Sequence, residues 1–180
     1  DYLVVANDPR NDYNKCYCSY DKEEYYFNMQ IEEIMKYCEK SIIGNCSIIF
    51  GCDMSKYLHI NREVMDEKCF DYDLLFGMDF NVFSKKDLMQ MHGSYSNHLM
   101  VIVGIDIQKN KGITKFKVAN SWGGDDDDED GGSYNMNIDW FKKYSFDYVI
   151  HKKFIPKNII KIYNTEIKRP IILQKNDVMF

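Results

Sequence analysis

The chain has 180 residues, of which 45% are hydrophobic and 15% aromatic, and its formal net charge is −5. This apolar content excludes an intrinsically disordered chain, and the length is that of one domain or one large part of a domain. The acidic balance argues against a nucleic-acid-binding protein, because no basic stripe is present to neutralise phosphates. The sequence also predicts no membrane segment, because no apolar run approaches the ~20 residues that a spanning helix needs.

The first part of the chain predicts a short strand, an amphipathic helix and a buried strand. Residues 2–6 are apolar and precede a turn cluster. Apolar residues recur at helical spacing between 28 and 43, where Asn28 is a candidate N-cap and Gly44 a stop signal. Residues 46–52 read as a buried strand. Short helical turns are expected between 55 and 75 and again between 85 and 91.

The second part predicts a hairpin and further strands. Residues 98–107 are almost all apolar, which predicts a strand buried on both faces, and a five-residue loop joins them to a second strand at 113–120. The remaining expectations are a strand at 133–136, a helical turn at 138–142, a strand at 146–154, a sheet extension at 159–163 and an extended arm at 166–180. One clear helix and several antiparallel strands predict an α+β fold with few helices.

Six cysteines, at positions 16, 18, 38, 46, 52 and 69, are expected to be reduced thiols. The chain has enough apolar residues to fold without disulfides, and nothing in it marks a secreted protein. Their spacing does not match a zinc site, so we expect no metal and no cofactor, and a Cys/His metal module is the third hypothesis. The chain begins at Asp1 without a methionine or targeting segment, which predicts a fragment or a processed chain.

The two ends of the predicted hairpin bring a histidine close to an asparagine. If Ile107 pairs with Ile113, His98 and Asn120 become diagonal neighbours roughly 7 Å apart at the backbone. An imidazole held by an amide is the orienting half of a Cys-His-Asn site, in which the histidine is the general base. The alternative is a core histidine whose ring is satisfied by a nearby amide.

The residues around this pair resemble the papain-like cysteine peptidases. Residues 118–123, Val-Ala-Asn-Ser-Trp-Gly, resemble the Asn-Ser-Trp-Gly motif of that family. Residues 96–100, Ser-Asn-His-Leu-Met, resemble the Thr-His-Ala-Met segment of its bleomycin hydrolase and aminopeptidase C branch. Further segments resemble that branch in the same order along the chain: 7–10, 50–53, 73–77, 139–141 and 170–173. The resemblance therefore covers nearly the whole chain.

This resemblance implies a papain-like fold and a thiol-dependent aminopeptidase, a hydrolase that is intracellular, cytoplasmic and assembled as a hexameric homo-oligomer. Its substrate would be a peptide with a free N-terminus, whose amine pairs with the carboxylate of a C-terminal arm lying in the cleft. By analogy the arm is residues 174–180, so Met179 and Phe180 become substrate-binding candidates. Trp122 is the third such candidate, and it is also expected to shield the His98–Asn120 hydrogen bond. The arm departs from the family pattern, because Val178 stands where proline is usual.

The nucleophile is the missing component of the predicted site. Papain-like enzymes carry it on an N-terminal segment together with a glutamine of the oxyanion hole, and no cysteine of this chain has that context. We therefore expect residues 1–165 to be the C-terminal part of the peptidase domain, supplying His98 and Asn120 but inactive alone. The cysteine and glutamine would lie on an N-terminal part that is missing or separate.

One alternative to this interpretation remains, and the role of the acidic run is a separate open point. The chain could be a non-catalytic papain-like half-domain that acts as a binding or scaffold protein. The acidic run at 125–130 is expected to be a solvated loop, with binding of a hard cation or a cationic peptide as its alternative.

Overall fold

The structure is a computed structural model, and it describes residues 1–121 and 132–179. Within these residues the strands form one mixed sheet in the order β11-β2-β3-β1-β10-β4-β7-β8-β9-β6-β5. The strands are β1 Tyr2–Ala6, β2 Cys16–Cys18, β3 Tyr25–Asn28, β4 Ile48–Cys52, β5 Leu58–His59, β6 Val64–Met65, β7 His98–Gln108, β8 Gly112–Ala119, β9 Ser133–Asn137, β10 Ser145–His151 and β11 Ile171–Ile172. The helices are α1 Ile31–Ile43, α2 Tyr72–Phe76, α3 Lys85–Gln90, α4 Ile138–Tyr144 and α5 Lys157–Glu166, with 3-10 turns at Ile60–Arg62 and Lys152–Phe154.

The α+β class predicted from the sequence is confirmed, but the sheet is not purely antiparallel. Strands β1 and β3, β2 and β11, and β6 and β9 pair in parallel. Each of these parallel pairs joins strands distant in sequence or a short edge strand, which hydrophobic periodicity alone does not reveal. No helix among the described residues is long and apolar enough to cross a membrane.

Helix α1 covers one face of the central strands and builds the core. Its apolar stripe places Ile34 and Cys38 fully inside, against Phe50 of β4 and Met100 of β7. The predicted cap is wrong, because Gln30 occupies the N-cap position. The side chain of Asn28 instead accepts a hydrogen bond from the backbone N–H of Asp8, at 2.8 Å, and so fixes the turn after β1.

The opposite face of the same strands has little cover among the described residues. Leu99 is 61% exposed, and Ile49 and Val103 are each 45% exposed. The expectation that residues 98–107 are buried on both faces is therefore wrong: Met100 and Ile102 lie in the core, whereas the alternate residues do not. The run is apolar on both faces, but only one face has a helix to cover it. We call the exposed side of β4 and β7 the open face.

The hairpin of β7 and β8 has the predicted register at both ends. Ile107 pairs with Ile113 and Val101 pairs with Ala119, with two irregularities between these pairs. The irregularities cancel, because each shifts the pairing by one residue in opposite directions. The start of β7 therefore lies beside the end of β8, as the numbering of the two strands predicted.

One predicted strand is a helix. Residues 159–163 lie within α5, which begins directly after Pro156. Proline fixes a backbone angle suited to the start of a helix, and Ile159 is buried while Ile160 and Tyr163 pack against the core. The spacing of these residues is that of one helical face. Residues 159–163 contain three β-branched isoleucines, so a window of only five residues suggested a strand.

Candidate active site

The start of β7 and the end of β8 bring His98 and Asn120 into direct contact. The Nε2 atom of His98 lies 2.8 Å from the Oδ1 atom of Asn120. Both residues are half-buried at the end of the sheet. The backbone N–H of Asn120 donates to the carbonyl of Gly132 at 2.8 Å, which holds the asparagine against the start of β9.

This contact determines which nitrogen of the imidazole is basic. An amide oxygen only accepts hydrogen bonds, so Nε2 carries the hydrogen when His98 is neutral. The lone pair then lies on Nδ1, which is the nitrogen able to take a proton. The arrangement is that of a general base whose tautomer is fixed by an amide.

The amide of Asn120 is itself oriented by its neighbours. Its Oδ1 accepts a second hydrogen bond, at 2.8 Å, from the backbone N–H of Ser121. Its Nδ2 is buried and has no hydrogen-bond partner within the described part of the chain. Exchange of the two amide atoms would turn a donor toward the Ser121 N–H, so the backbone specifies that the oxygen faces His98.

A buried carboxylate fixes the loop that leads into His98. Asp53, directly after β4, accepts hydrogen bonds from the Ser94 hydroxyl and from the Asn97 amide, each at 2.8 Å. Asn97 in turn accepts from the backbone N–H of Met54 at 2.9 Å. These bonds join the residue before His98 to the end of the neighbouring strand, so the backbone that carries the imidazole is held in place.

The C-terminal segment reaches the same loop. The backbone N–H of Ser96 donates to the carbonyl of Val178 at 2.9 Å. Val178 and Met179 are each only 3% exposed. The predicted arm therefore contacts the loop at Ser96, two residues before His98 in the sequence.

An ion pair anchors this arm to the turn after β1. The guanidinium of Arg10 donates to Asp177 at 2.7 Å and to Asp8 at 2.8 Å. The backbone of Leu173 adds a hydrogen bond to the carbonyl of Cys18 at 2.9 Å, continuing the β2–β11 pairing. The arm is thus held at two points before it reaches Ser96.

The buried cysteines of the chain do not have the environment of a catalytic thiol. All six are free, and Cys52 is the cross-strand partner of His98 in the β4–β7 ladder. Cys52 is nevertheless fully buried, and burial raises its pKa. Burial likewise raises the pKa of Cys16 to about 11. A nucleophilic cysteine needs the opposite, an accessible sulfur with a lowered pKa.

Of the predicted site residues, three lie within the described part of the chain. His98 and Asn120 are in contact, and Met179 is buried beside the loop that precedes His98. Trp122, Phe180 and the acidic run at 125–130 lie outside the described residues. Within the described residues no group of three or more histidine, cysteine or acidic side chains could hold a metal ion.

Sequence reasoning missed the supporting role of Asp53 and the ion pair between Arg10 and Asp177. Asp53 follows directly on an apolar strand, and a charge in that position is a signal of a buried polar network. The Arg10–Asp177 pair joins residues far apart in sequence, so nothing local to either residue reveals it.

Comparison with known proteins shows which family the chain resembles. The model of the Peptidase C1-like family matches residues 1–180. Chicken bleomycin hydrolase is 28% identical over 192 residues, which cover 99% of this chain. Aminopeptidase C of Lactobacillus delbrueckii subsp. lactis is 30% identical over 189 residues, again 99% of this chain.

A solved structure agrees with these relatives. The crystal structure of PepW from Lactobacillus rhamnosus HN001 superposes with a TM-score of 0.90 at 26% identity, covering 99% of this chain. The expected papain-like fold is therefore confirmed. The chain spans 41% of the length of each of these three proteins.

Proposed function

The chain belongs to the Peptidase C1-like family, in the branch of bleomycin hydrolase and aminopeptidase C, and from this premise we propose that it supplies the catalytic histidine and asparagine of a thiol-dependent aminopeptidase. The observation that carries the proposal is the 2.8 Å contact between His98 Nε2 and Asn120 Oδ1. Asn120 fixes the tautomer, and Nδ1 of His98 takes the proton of a cysteine thiol.

The proposed reaction uses this pair together with a thiol and a water molecule. The thiolate attacks the carbonyl carbon of the first peptide bond, and the imidazolium of His98 then gives its proton to the departing amine. Water hydrolyses the resulting thioester with His98 again as the base, which releases the N-terminal amino acid and restores the thiol.

We propose that the thiol comes from an N-terminal part, which also carries a glutamine of the oxyanion hole. The buried cysteines of this chain support this assignment, because burial suppresses the thiolate. The open face offers a place for that part to bind, since Leu99 directly follows His98 and is 61% exposed. An exposed apolar sheet face beside an incomplete site fits the polypeptide that completes the site.

The position of the arm supports cleavage from the N-terminus rather than within a peptide. Residues 174–180, the end of the tail predicted as an arm at 166–180, would bind in the cleft, and within them the Val178 carbonyl accepts a hydrogen bond from the Ser96 N–H. By the family resemblance, the carboxylate at the end of such an arm would pair with the free amine of the substrate, so that only one residue fits beyond the scissile bond. The family resemblance further favours a hexameric homo-oligomer and a cytoplasmic location.

The test uses this chain together with the part that bears the cysteine. Fluorogenic aminoacyl amides with a free amine should be cleaved, and their Nα-acetylated counterparts should not. His98→Ala should lower kcat/KM by about 10²–10⁴-fold, since the general base is lost. Asn120→Ala should cause a smaller loss, because the base remains but its tautomer is no longer fixed.

His151→Ala is the matched control, because this histidine lies at the far end of β10 and should leave kcat/KM unchanged. Full activity of His98→Ala would disprove the site assignment. Equal cleavage of acetylated substrates would disprove the aminopeptidase assignment and leave a general cysteine peptidase.

The second candidate function is a non-catalytic papain-like half-domain that binds or scaffolds another protein. The open face is the observation that favours it, because an exposed apolar face fits a binding partner whether or not that partner carries a thiol. The two candidates differ in turnover, because a scaffold would show none even with wild-type His98. Its affinity for its partner would also be unchanged by His98→Ala.

A further inference from the structure

Residues 174–179, the described part of the arm, are attached to the chain differently from the segment before them. Strand β11 pairs with β2, and Leu173 continues that ladder with a backbone hydrogen bond to the end of β2. Residues 174–176 are exposed, and only after them are Val178 and Met179 buried again. The end of the arm therefore depends on contacts of its own rather than on the sheet.

An ion pair between Arg10 and Asp177 holds this end. Nη2 of Arg10 donates to Oδ1 of Asp177 at 2.7 Å, and the two side chains are only 15% and 16% exposed. The same Oδ1 accepts the backbone N–H of Met179 at 3.0 Å, so the carboxylate also closes the last turn of the arm. Salt screens a largely buried pair much less than a surface pair, so this contact has a defined geometry.

Arg10 is itself oriented by a second carboxylate, that of Asp8. Nε and Nη2 of Arg10 donate to the two oxygens of Asp8 at 2.9 Å and 2.8 Å, and the backbone N–H of Arg10 donates to Asp8 at 2.9 Å. Asp8 is held in turn by Asn28, whose side-chain oxygen accepts its backbone N–H at 2.8 Å. This forked pairing fixes the plane of the guanidinium, so the turn after β1 presents a donor to the arm in one direction.

Apolar packing alone would not give the arm this register. Val178 and Met179 belong to a small cluster with Met89 and Phe146, and such contacts are not directional. The ion pair is directional, and the next residue of the arm accepts the hydrogen bond from the Ser96 N–H. A shift of the arm by one residue would separate the ion pair and place a different carbonyl opposite Ser96.

Loss of the guanidinium would do more than remove one contact. Nη2 of Arg10 contacts both Asp8 and Asp177, so without it the two carboxylates would face each other with no cation between them. Like charges this close repel, the more so where they are partly buried. Asp8 is fixed within its own turn, whereas Asp177 follows an exposed segment, so the arm is the side that moves.

We propose that Arg10 is the positioning residue of the arm: it fixes Asp177 and thereby holds the end of the arm against the loop that leads to His98. Without Arg10 the end of the arm leaves this loop, while β11 and Leu173 stay in place. The inference deepens the proposed function and rests on it in one respect. If the end of the arm recognises the free amine of the substrate, Arg10 determines how strictly the enzyme requires that amine.

Hydrogen exchange at single amides of the purified chain tests the placement of the arm without any turnover. The amides of Ser96 and Met179 report docking, because their hydrogen-bond acceptors belong to the arm, and the amide of Leu173 reports the sheet. At pH 7.0, Arg10→Gln should accelerate exchange at Ser96 and Met179 at least tenfold and at Leu173 less than twofold. Arg10→Lys should give an intermediate rate, because lysine keeps the charge but not the fork.

Lys143→Gln is the matched control, because Lys143 forms a similarly buried ion pair with Glu67, at 2.8 Å, that does not involve the arm. It should change exchange at Ser96 less than twofold. Asp177→Ala removes the arm's half of the pair and leaves the turn after β1 intact, so it remains decisive if Arg10→Gln fails to fold. In an Asp177→Ala background, Arg10→Gln should cause no further acceleration, because the two residues act through each other.

Three results would overturn the proposal. The first is unchanged exchange at Ser96 in both Arg10→Gln and Asp177→Ala. The second is equal acceleration by Lys143→Gln, and the third is additive effects of the two substitutions of the pair. None of these results involves turnover, so none bears on the peptidase assignment.

The consequence for the proposed function is measured in the assembled enzyme, which is this chain combined with the part that bears the cysteine. Arg10→Gln should raise KM for free aminoacyl amides at least tenfold and change kcat less than about threefold, because the arm binds the amine but takes no part in bond cleavage. A merely structural role would lower kcat and leave KM unchanged. Fast exchange at Ser96 with an unchanged KM would uphold Arg10 as the positioning residue and reject recognition of the amine by the arm, while His98→Ala tests the peptidase assignment separately.

Discussion

Two adjacent residues of β4 show how differently the sides of the sheet are completed. Phe50 points toward α1 and is fully buried, whereas Ile49 points to the open face and is 45% exposed. Both are large and apolar, and both stand in the middle of a central strand. The chain therefore covers one face of its central strands with its own helix, and the other face is exposed among the described residues.

This difference separates the stability of the fold from the completeness of the site. The α1 side contains the main core, which is built from residues of this chain. The open face includes Leu99, the residue after His98, and under the proposed function the His98–Asn120 pair acts on a thiol from another part of the protein. If the nucleophile lies on another part of the protein, the general base must be held in position by its own part of the fold.

The largest expected effect comes from a pair of substitutions that compares the two faces directly. Phe50→Ala should lower the free energy of unfolding by about 3–5 kcal/mol, because it leaves a cavity in a packed core. Ile49→Ala should lower it by less than about 1 kcal/mol, because its side chain is already half in water. Urea unfolding of both variants measures the difference, and equal losses would show that the open face is packed in the free chain.

A second comparison concerns the association with the part that bears the cysteine. Ile49→Ser combined with Leu99→Ser should weaken that association by about 10–100-fold, or roughly 1.4–2.8 kcal/mol, since two apolar contacts are lost. Ile43→Ser, at the exposed C-terminal end of α1, is the control of similar size and should have little effect. Titration of one part with the other gives the dissociation constants, and equal weakening by the control would place the interface elsewhere.

The last prediction concerns the carboxylate of Asp147, which lies in β10 beside the open face. Because the pKa of Asp147 is raised to about 6 in the folded chain, the folded state binds more protons than the unfolded state between about pH 4 and pH 6. Wild type should therefore lose stability relative to Asp147→Asn as the pH rises through this window, by about 2 kcal/mol.

Unfolding of both proteins at pH 4.0 and pH 7.0 measures this change. A constant difference between the two proteins would contradict the raised pKa. A change of opposite sign would mean that a partner of positive charge already occupies Asp147.

The contact of His98 with Asn120 could be predicted because both residues belong to one hairpin, whose register follows from its own loop. The start of α5 could not be placed so easily, because its β-branched residues suit either a strand or a helix and only packing on the core decides. The openness of the face around Leu99 was also hidden, since an apolar strand does not reveal which of its faces finds cover in the same chain. Long-range pairs such as Arg10 with Asp177 have no local signal at all.

The central claim is that His98 is the general base for a cysteine thiol on the N-terminal part of the enzyme. The most direct measurement is the pH dependence of alkylation of that thiol by iodoacetamide in the assembled enzyme. With wild-type chain the thiol should stay reactive well below pH 7, because imidazolium stabilises the thiolate, and with His98→Ala its reactivity should rise only near the ordinary thiol pKa of about 8.5. Identical profiles for the two chains would contradict the account.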